Sequence, residues 1–385
     1  MIYLDNAAST PVHEKVVEEM MPFFKEQYGN PSSIHRYGRV ANLAIQNARK
    51  RIANMINADS NEILLTSGGT ESNNTAIYGI VYQSTRKHVI TTSIEHDAIL
   101  EPCKRLEKEG YRISYLPVDK YGLVNPDNLK NEISDETCLI TIMYANNEVG
   151  TIQPIKEIAR IAQKNKIPFH SDAVQAAGKT PIDVRETGID LLSISSHKIN
   201  GPKGVGALYI RNGVKISPLI LGGGQERGLR SGTENVASIA GFGIACKLAK
   251  DNMEVNIAHY KKLTTKLVTR ILNEISCTTL NGHPDSRIPN NAHFTFLGVS
   301  GEDLIIKLDE NKIAASTGSA CSVRVQKASH VLKAMGFSHE QITGSLRLTV
   351  GIINSEEEID KTVDVLKQVI QELRLVSPYK SKYNF

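Results

Sequence analysis

Two side chains in this sequence invite a chemical reading before the rest. Lys198 closes the run Ser195-Ser196-His197-Lys198, and Asp172 lies 26 residues earlier in Phe169-His170-Ser171-Asp172-Ala173-Val174-Gln175. Each follows a short apolar run that reads as a strand. An amine at one strand exit can form a Schiff base with an aldehyde. A carboxylate at the exit of the preceding strand can keep a pyridine nitrogen protonated, so that the ring accepts electrons. Pyridoxal phosphate needs both groups. The plainer reading makes Lys198 a solvated loop residue and Asp172 a helix cap, and the pair alone does not choose between them.

Other segments offer groups that such a cofactor would use. Thr66-Ser67-Gly68-Gly69-Thr70-Glu71-Ser72 joins a strand to a helix. Its glycines let the backbone approach an anion, the helix amides point at it, and Thr70 adds a hydroxyl. The alternative is an ordinary helix start capped by Ser67 or Thr70. No Gly-Lys-Ser/Thr follows, so it is not a nucleotide P-loop. Gly201-Pro202-Lys203-Gly204-Val205-Gly206 has a dinucleotide-like glycine spacing but precedes a strand, which excludes that reading. His96, after another strand, can stack on a ring and pass protons, although a lone histidine there is more often a loop or capping residue. His197 and Ser195 are candidates for phosphate, and Gln175 for a phenolic oxygen. Asn147, in Asn146-Asn147-Glu148-Val149-Gly150-Thr151, can bond cofactor or substrate, or serve turn chemistry alone.

Three features lie further along. The loop from Gly222 to Thr233 is too glycine-rich for a helix or strand and suits a site or an interface as well as a free surface. Arg347, in Ser345-Leu346-Arg347-Leu348-Thr349-Val350-Gly351, stands on an apolar strand, where it needs an anion or an outward face. A substrate carboxylate would give it a two-toothed partner. Of the five cysteines, Cys103, Cys138, Cys246, Cys277 and Cys321, no two form a CxxC pair. That argues against a disulfide framework or a zinc site. Cys138 and Cys246 read as buried small hydrophobes. Cys321 stands apart, in the small-residue run Ser316-Thr317-Gly318-Ser319-Ala320-Cys321-Ser322, which reads as a mobile loop.

The elements that must position these residues alternate. Apolar runs at 62–66, 88–92, 112–117, 138–145, 168–171, 190–194 and 205–210 read as strands, with helical periodicity at 71–80, 99–109 and 155–165. This βαβ pattern predicts a large, mixed and mostly parallel sheet covered by helices, with ligands outside the strands' carboxyl ends. Long helical periodicity over 234–275 breaks near Asp251. Beyond it, strands at 288–296 and 346–350 and helices at 302–309 and 356–373 predict a smaller α+β domain. We expect 13–258 to form the large domain, and 1–12 with 259–385 the small one carrying the Cys321 loop. The last six residues read as a mobile tail.

Composition narrows the partners. A net charge of +4 without a basic run gives no support to nucleic-acid binding. No apolar stretch is of membrane-spanning length, and the N-terminus has no basic-then-apolar signal pattern, so a cytoplasmic location is expected.

Taken in order, Tyr3–Pro11 numbered 3–11, Gly29-Asn30-Pro31-Ser32-Ser33, the 66–74 and 146–150 segments, Asp172-Ala173-Val174-Gln175, Ser195–Lys198 numbered 195–198, Arg230-Ser231-Gly232-Thr233 and the 316–321 run closely resemble the cysteine desulfurases. The match is to the NifS/IscS-like group of fold type I pyridoxal-phosphate enzymes, in the class V aminotransferase family, and spans nearly the whole chain. The resemblance implies that Lys198 bonds pyridoxal 5'-phosphate and Asp172 meets its ring nitrogen. It implies that Gln175 contacts the phenolic oxygen, that Gly69, Thr70, Ser195 and His197 hold the phosphate, and that His96 stacks as acid/base. Asn147 and Arg347 would anchor the substrate carboxylate. Thr233 would reach the other subunit's phosphate in a homodimer. Cys321 would accept sulfur from L-cysteine as a persulfide, leaving L-alanine. An acceptor protein such as an iron–sulfur scaffold would take it on, with Cys321 as the one candidate cluster ligand and no resident metal.

The chain departs from the family pattern after Cys321, at Ser322–His330 numbered 322–330, where relatives often have Glu-Pro-Ser-His. It departs again at Ile352, where many have arginine, and in a short C-terminal tail. Rival expectations are selenocysteine lyase or another pyridoxal-phosphate reaction, and, in a different class, a non-catalytic sulfur-relay or assembly subunit.

Overall fold

The computed structural model describes residues 1–318 and 328–378. Its twelve described strands are β1 (Ile2–Tyr3), β2 (Ile63–Thr66), β3 (His88–Thr92), β4 (Arg112–Leu116), β5 (Thr137–Thr141), β6 (Phe169–Asp172), β7 (Leu191–Ser195), β8 (Gly206–Ile210), β9 (Thr278–Asn281), β10 (Asn291–Phe296), β11 (Ile313–Ala314) and β12 (Ser345–Thr349). Seven form one sheet in the order β2-β8-β7-β6-β5-β3-β4. Only β8 runs against its neighbours there. Strands β2, β3 and β5 to β8 are buried on both faces, which is why they read as unbroken apolar runs rather than alternating ones.

The crossover helices Asp97–Lys108 and Ile155–Lys164 are amphipathic and bury apolar stripes such as Ile155, Ile158, Ala159 and Ala162 against the sheet, whereas Gly69–Val81 is buried all round over 75–81. One long helix escapes the sequence reading. Arg36–Met55 is rich in polar residues, and its inward face is made of small ones, Gly38, Ala41 and Ala48, with Ile45 and Ile52. Those small residues allow close packing on Val236–Asp251, where a Cβ on Gly243 would stand 2.6 Å from Ala48 Cα.

A second apolar core lies around the antiparallel sheet β12-β10-β9, covered by Met253–Glu274, Gly301–Glu310 and Glu356–Leu375. The N-terminal strand β1 pairs in parallel with β11 on this side. The expected strand over 288–296 starts only at Asn291. Pro289 has no N–H to give a ladder, and the Ile288 amide bonds instead to Gly150 O at 2.9 Å. Among the described residues, no helix is long and apolar enough to cross a membrane.

Candidate active site

The parallel strands of the large sheet end together, and their exits carry the chemistry. Gly69 and Thr70 follow β2, His96 follows β3, Asn147 follows β5, Asp172 ends β6, and Ser195, His197 and Lys198 end or follow β7. These eight residues and Gln175, nine of the ten expected cofactor residues, line one cavity of about 260 Å³, together with Asn73, Ala8, Met143 and Val174. Thr233, the remaining member, is exposed and lies outside it. Cys321 lies outside the described residues.

The carboxylate of Asp172 is held from two sides. Asn73 Nδ2 donates to Oδ2 at 2.6 Å, and the Val174 amide donates to Oδ1 at 2.9 Å. The second bond is a local turn contact; no helix follows Asp172, so it is not the helix cap of the plainer reading. The first is long-range, from the helix Gly69–Val81, one turn beyond the glycine pair. Sequence reasoning quoted Asn73 without giving it a role. Its spacing of four from Gly69 was the available signal.

Lys198 ends a single 3₁₀ turn, Ser196–Lys198. Its Nζ donates to Ala7 O at 2.6 Å and Ala8 O at 2.7 Å. The N-terminal segment thus supplies two acceptors that orient the amine. Gln175 Nε2 donates to the same Ala7 carbonyl at 3.0 Å, and its Oε1 accepts from Lys179 Nζ at 3.3 Å. Burial, aided by Lys198 and Arg347, pushes the Lys179 amine down to about 7. Lys179 and Lys198 also line a neighbouring cavity of about 240 Å³, with Asn6, Tyr260 and Asn290.

The anion cradle depends on missing side chains. The helix Gly69–Val81 starts from Gly68, which has no side chain to cap it, so neither Ser67 nor Thr70 is the cap. Its first amides therefore keep their donors for a ligand. Gly206 pairs with Thr66 on one side and Ser195 on the other. A Cβ there would stand 2.7 Å from Gly68 Cα, and one on Gly69 would stand 2.7 Å from Val174 Cγ2. The glycine run rejected as a dinucleotide motif thus has a steric task, which is to let the 66–70 turn come close. His197 adds a neutral ring. Burial, then Lys198, Lys203 and Lys179, push it down to about 4, and Nδ1 meets Ser9 Oγ at 3.3 Å.

His96 caps the helix Asp97–Lys108, with Nδ1 accepting from the Ala98 amide at 3.0 Å. The neutral ring therefore carries its proton on Nε2. It is both the capping residue of the plainer reading and a wall of the cavity.

Arg347 is buried on β12 beside the cavity. Nη2 pairs with Asp5 at 2.8 Å, and Nη1 donates to Asn147 O at 2.9 Å and Gly318 O at 3.5 Å. Arg347 thus touches the backbone of Asn147, its expected companion.

This donor set fits a phosphorylated pyridine aldehyde. It offers a tethering amine, a fixed carboxylate, an imidazole and a glycine cradle with a helix N-terminus. The chain belongs to the class-V aminotransferase family, whose model matches residues 2–362. It is 52% identical to "Cysteine desulfurase IscS" of Methanosarcina thermophila, over 99% of this chain and 95% of that one. Among solved structures it is similar to a "NIFS-like protein", at TM-score 0.91 and 39% identity, covering 96% of this chain and 99% of the other. It is also similar to "SspA in complex with cysteine", at TM-score 0.81 and 37% identity, covering 91% and 99%.

Proposed function

We infer that this chain is a pyridoxal-phosphate-dependent cysteine desulfurase, converting L-cysteine to L-alanine and receiving the sulfur on Cys321. The observation that carries this reading is the meeting of Lys198, Asp172, His96 and the Gly69–Thr70 cradle in one cavity, in a chain half identical to a relative of that name. When bound, the cofactor supplies a protonated ring that accepts electrons from the substrate Cα. Lys198 would tether it, Asp172 would face its ring nitrogen and Gln175 its phenolic oxygen. Gly69, Thr70, Ser195 and His197 would take its phosphate, and His96 would lie against the ring.

The protein's own groups have distinct tasks. Lys198 would take the Cα proton at Nζ, with the Ala7 and Ala8 carbonyls orienting the amine. His96 moves protons through Nε2, to or from substrate or thiol. Asn147 and Arg347 bind the substrate carboxylate, for which Arg347 exchanges its Nη2 pairing with Asp5. Cys321 attacks the substrate sulfur as a thiolate, the Cβ–S bond breaks, and carbon keeps the electron pair and gains a proton. The balance is cysteine plus Cys321 thiol giving alanine plus Cys321 persulfide.

The reading extends to assembly. A homodimer in which Thr233 reaches the partner's phosphate accounts for an expected ligand residue that lies outside its own cavity. A large domain over 13–258 and a small one from 1–12 with 259–385 accord with the apolar clusters on the large sheet and the one around the small sheet, with a further cluster of Ile94, Met143 and Val149 against Val331, Leu332 and Met335 joining the two. The free, buried Cys103, Cys138 and Cys246 suit a reducing, cytoplasmic setting. The sulfur acceptor would be a protein such as an iron–sulfur scaffold.

Lys198→Ala and Cys321→Ser test the central claim. The first should lose both the absorbance of the lysine–cofactor bond and turnover. The second should bind cofactor and cysteine yet show no persulfide by mass spectrometry. Full turnover in the first, or persulfide on another cysteine, overturns the assignment.

A further inference from the structure

One buried carboxylate beside the cavity has no part in the chemistry above. Glu148 is 2% exposed and follows Asn147 in the turn after β5. Taking a carboxylate out of water costs several kcal/mol unless it is bonded well. Burial accordingly raises its pKa, against the lowering effects of Ser329, His330 and Arg347. Its partner is Ser329, whose Oγ donates to Oε2 at 2.5 Å. The same Ser329 Oγ accepts from the Leu332 amide at 3.1 Å and so caps the helix His330–Ala334.

Gly318 lies close to the same side chain. A Cβ on Gly318 would stand 3.3 Å from Glu148 Cγ and 3.4 Å from Oε2, and φ is +93° there, where only glycine is unstrained. Gly318 O is also the acceptor of Arg347 Nη1, which bonds Asn147 O. The backbone of Glu148 is gripped as well. Its carbonyl accepts from Asn291 Nδ2 at 3.0 Å, and its amide donates to Asn146 Oδ1 at 2.9 Å. Residues 318 and 329 are the two sides of the stretch of chain that contains Cys321. One side chain therefore bonds one approach to the sulfur acceptor and leaves little room for a side chain at the other, next to the residue that walls the substrate cavity.

We propose that Glu148 is a positioning residue for sulfur transfer, holding Ser329 in register with Asn147 so that the Cys321 thiol is delivered to the substrate sulfur. The proposal rests on the cysteine desulfurase reading. It assigns Glu148 to the sulfur step and not to cofactor or substrate binding. The helix that Ser329 caps packs Val331 and Leu332 against Ile94, Met143 and Val149, which follow β3 and β5, so the bond ties that helix to the turn after β5.

The test uses full-length cofactor-loaded protein as wild type, Glu148→Ala, Ser329→Ala, the double variant and Glu148→Gln. Two signals are followed after cysteine is added: the change in cofactor absorbance, which reports substrate binding, and persulfide on Cys321 by mass spectrometry. Each alanine variant should form persulfide at least ~10-fold more slowly, as expected for a lost hydrogen bond to a charged group. The absorbance change should keep its wild-type amplitude and half-saturating concentration. The double variant should be no slower than either single, because both remove one bond. Glu148→Gln, which keeps the acceptor oxygen, should stay within about threefold of wild type. Wild-type persulfide rates in the alanine variants, or loss of cysteine binding in step with persulfide, would overturn the proposal. Should Glu148→Ala fail to fold, Ser329→Ala against Glu148→Gln carries the same comparison. Absence of persulfide in the wild type would refute the desulfurase reading instead.

Discussion

Among single residues, the buried ionisable groups decide more than the surface ones. Arg49 and Glu226 form a two-bond pair at 2.8 and 2.5 Å, and Glu226 also accepts from the Leu65 amide at 2.9 Å. Removing one partner strands the other charge, so Arg49→Met should cost about 3–5 kcal/mol of unfolding free energy. Adding Glu226→Met should recover much of that, as urea titrations of the single and double variants would report. Three histidines titrate in the opposite sense from a paired one. Burial holds His170 and His293 down to about 3, and burial with Arg112 holds His88 down to about 4. From pH 6.5 downward the unfolded chain therefore binds protons that the folded chain refuses. Stability should fall by about 1.4 kcal/mol per pH unit for each such group, until the folded-state values are reached. Urea midpoints measured from pH 7 to 4 check this; stability independent of pH over that window would contradict it.

At the scale of elements, the cradle is a packing problem solved by β8. Gly206→Ala puts a methyl 2.7 Å from both Gly68 Cα and Ile194 O. Backbone cannot swing aside as a side chain can, so the 66–70 turn must move outward. We expect an overpacking cost of about 1–3 kcal/mol and weaker cofactor binding, with the fold retained. Equilibrium titration with pyridoxal phosphate, beside a thermal melt, separates the two effects; unchanged affinity in a folded variant would count against the cradle. The strands and crossover helices were legible because burial on both faces leaves long apolar runs, and because helices over the sheet keep a 3.6-residue stripe. The helix Arg36–Met55 was not, since it packs through glycine and alanine rather than through large apolar side chains. The two-residue strands β1 and β11 were not either, since they hold too little pattern to stand out, and neither was β9, which is mostly polar and only partly buried.

For the whole molecule, the proposed homodimer makes a prediction no monomer could satisfy. If each site takes Lys198 from one chain and Thr233 from the other, Lys198→Ala and Thr233→Ala subunits complement each other. Mixed and allowed to exchange at limiting cofactor, they should regain about a quarter of the wild-type sites, the statistical share of one repaired site per mixed dimer. Activity that stays at the average of the two separate variants would assign Thr233 to its own chain or to none.

The order of residues along the chain settled the chemistry on offer. Lysine, aspartate, the glycine pair, histidine and cysteine can each do only a few things, and strand exits in a parallel sheet share one edge whatever the loops between them do. What order could not supply was the company each group keeps. Ala7 and Ala8 meet Lys198 across about 190 residues of chain, Asn73 meets Asp172 across 99, and Ser329 meets Glu148 across 181. Those contacts come from side chains and carbonyls with no periodicity or composition of their own. Only the tertiary packing of helices, strands and the N-terminal segment brings them together, because a hydrogen bond is short-ranged and carries no trace along the sequence of where its partner lies.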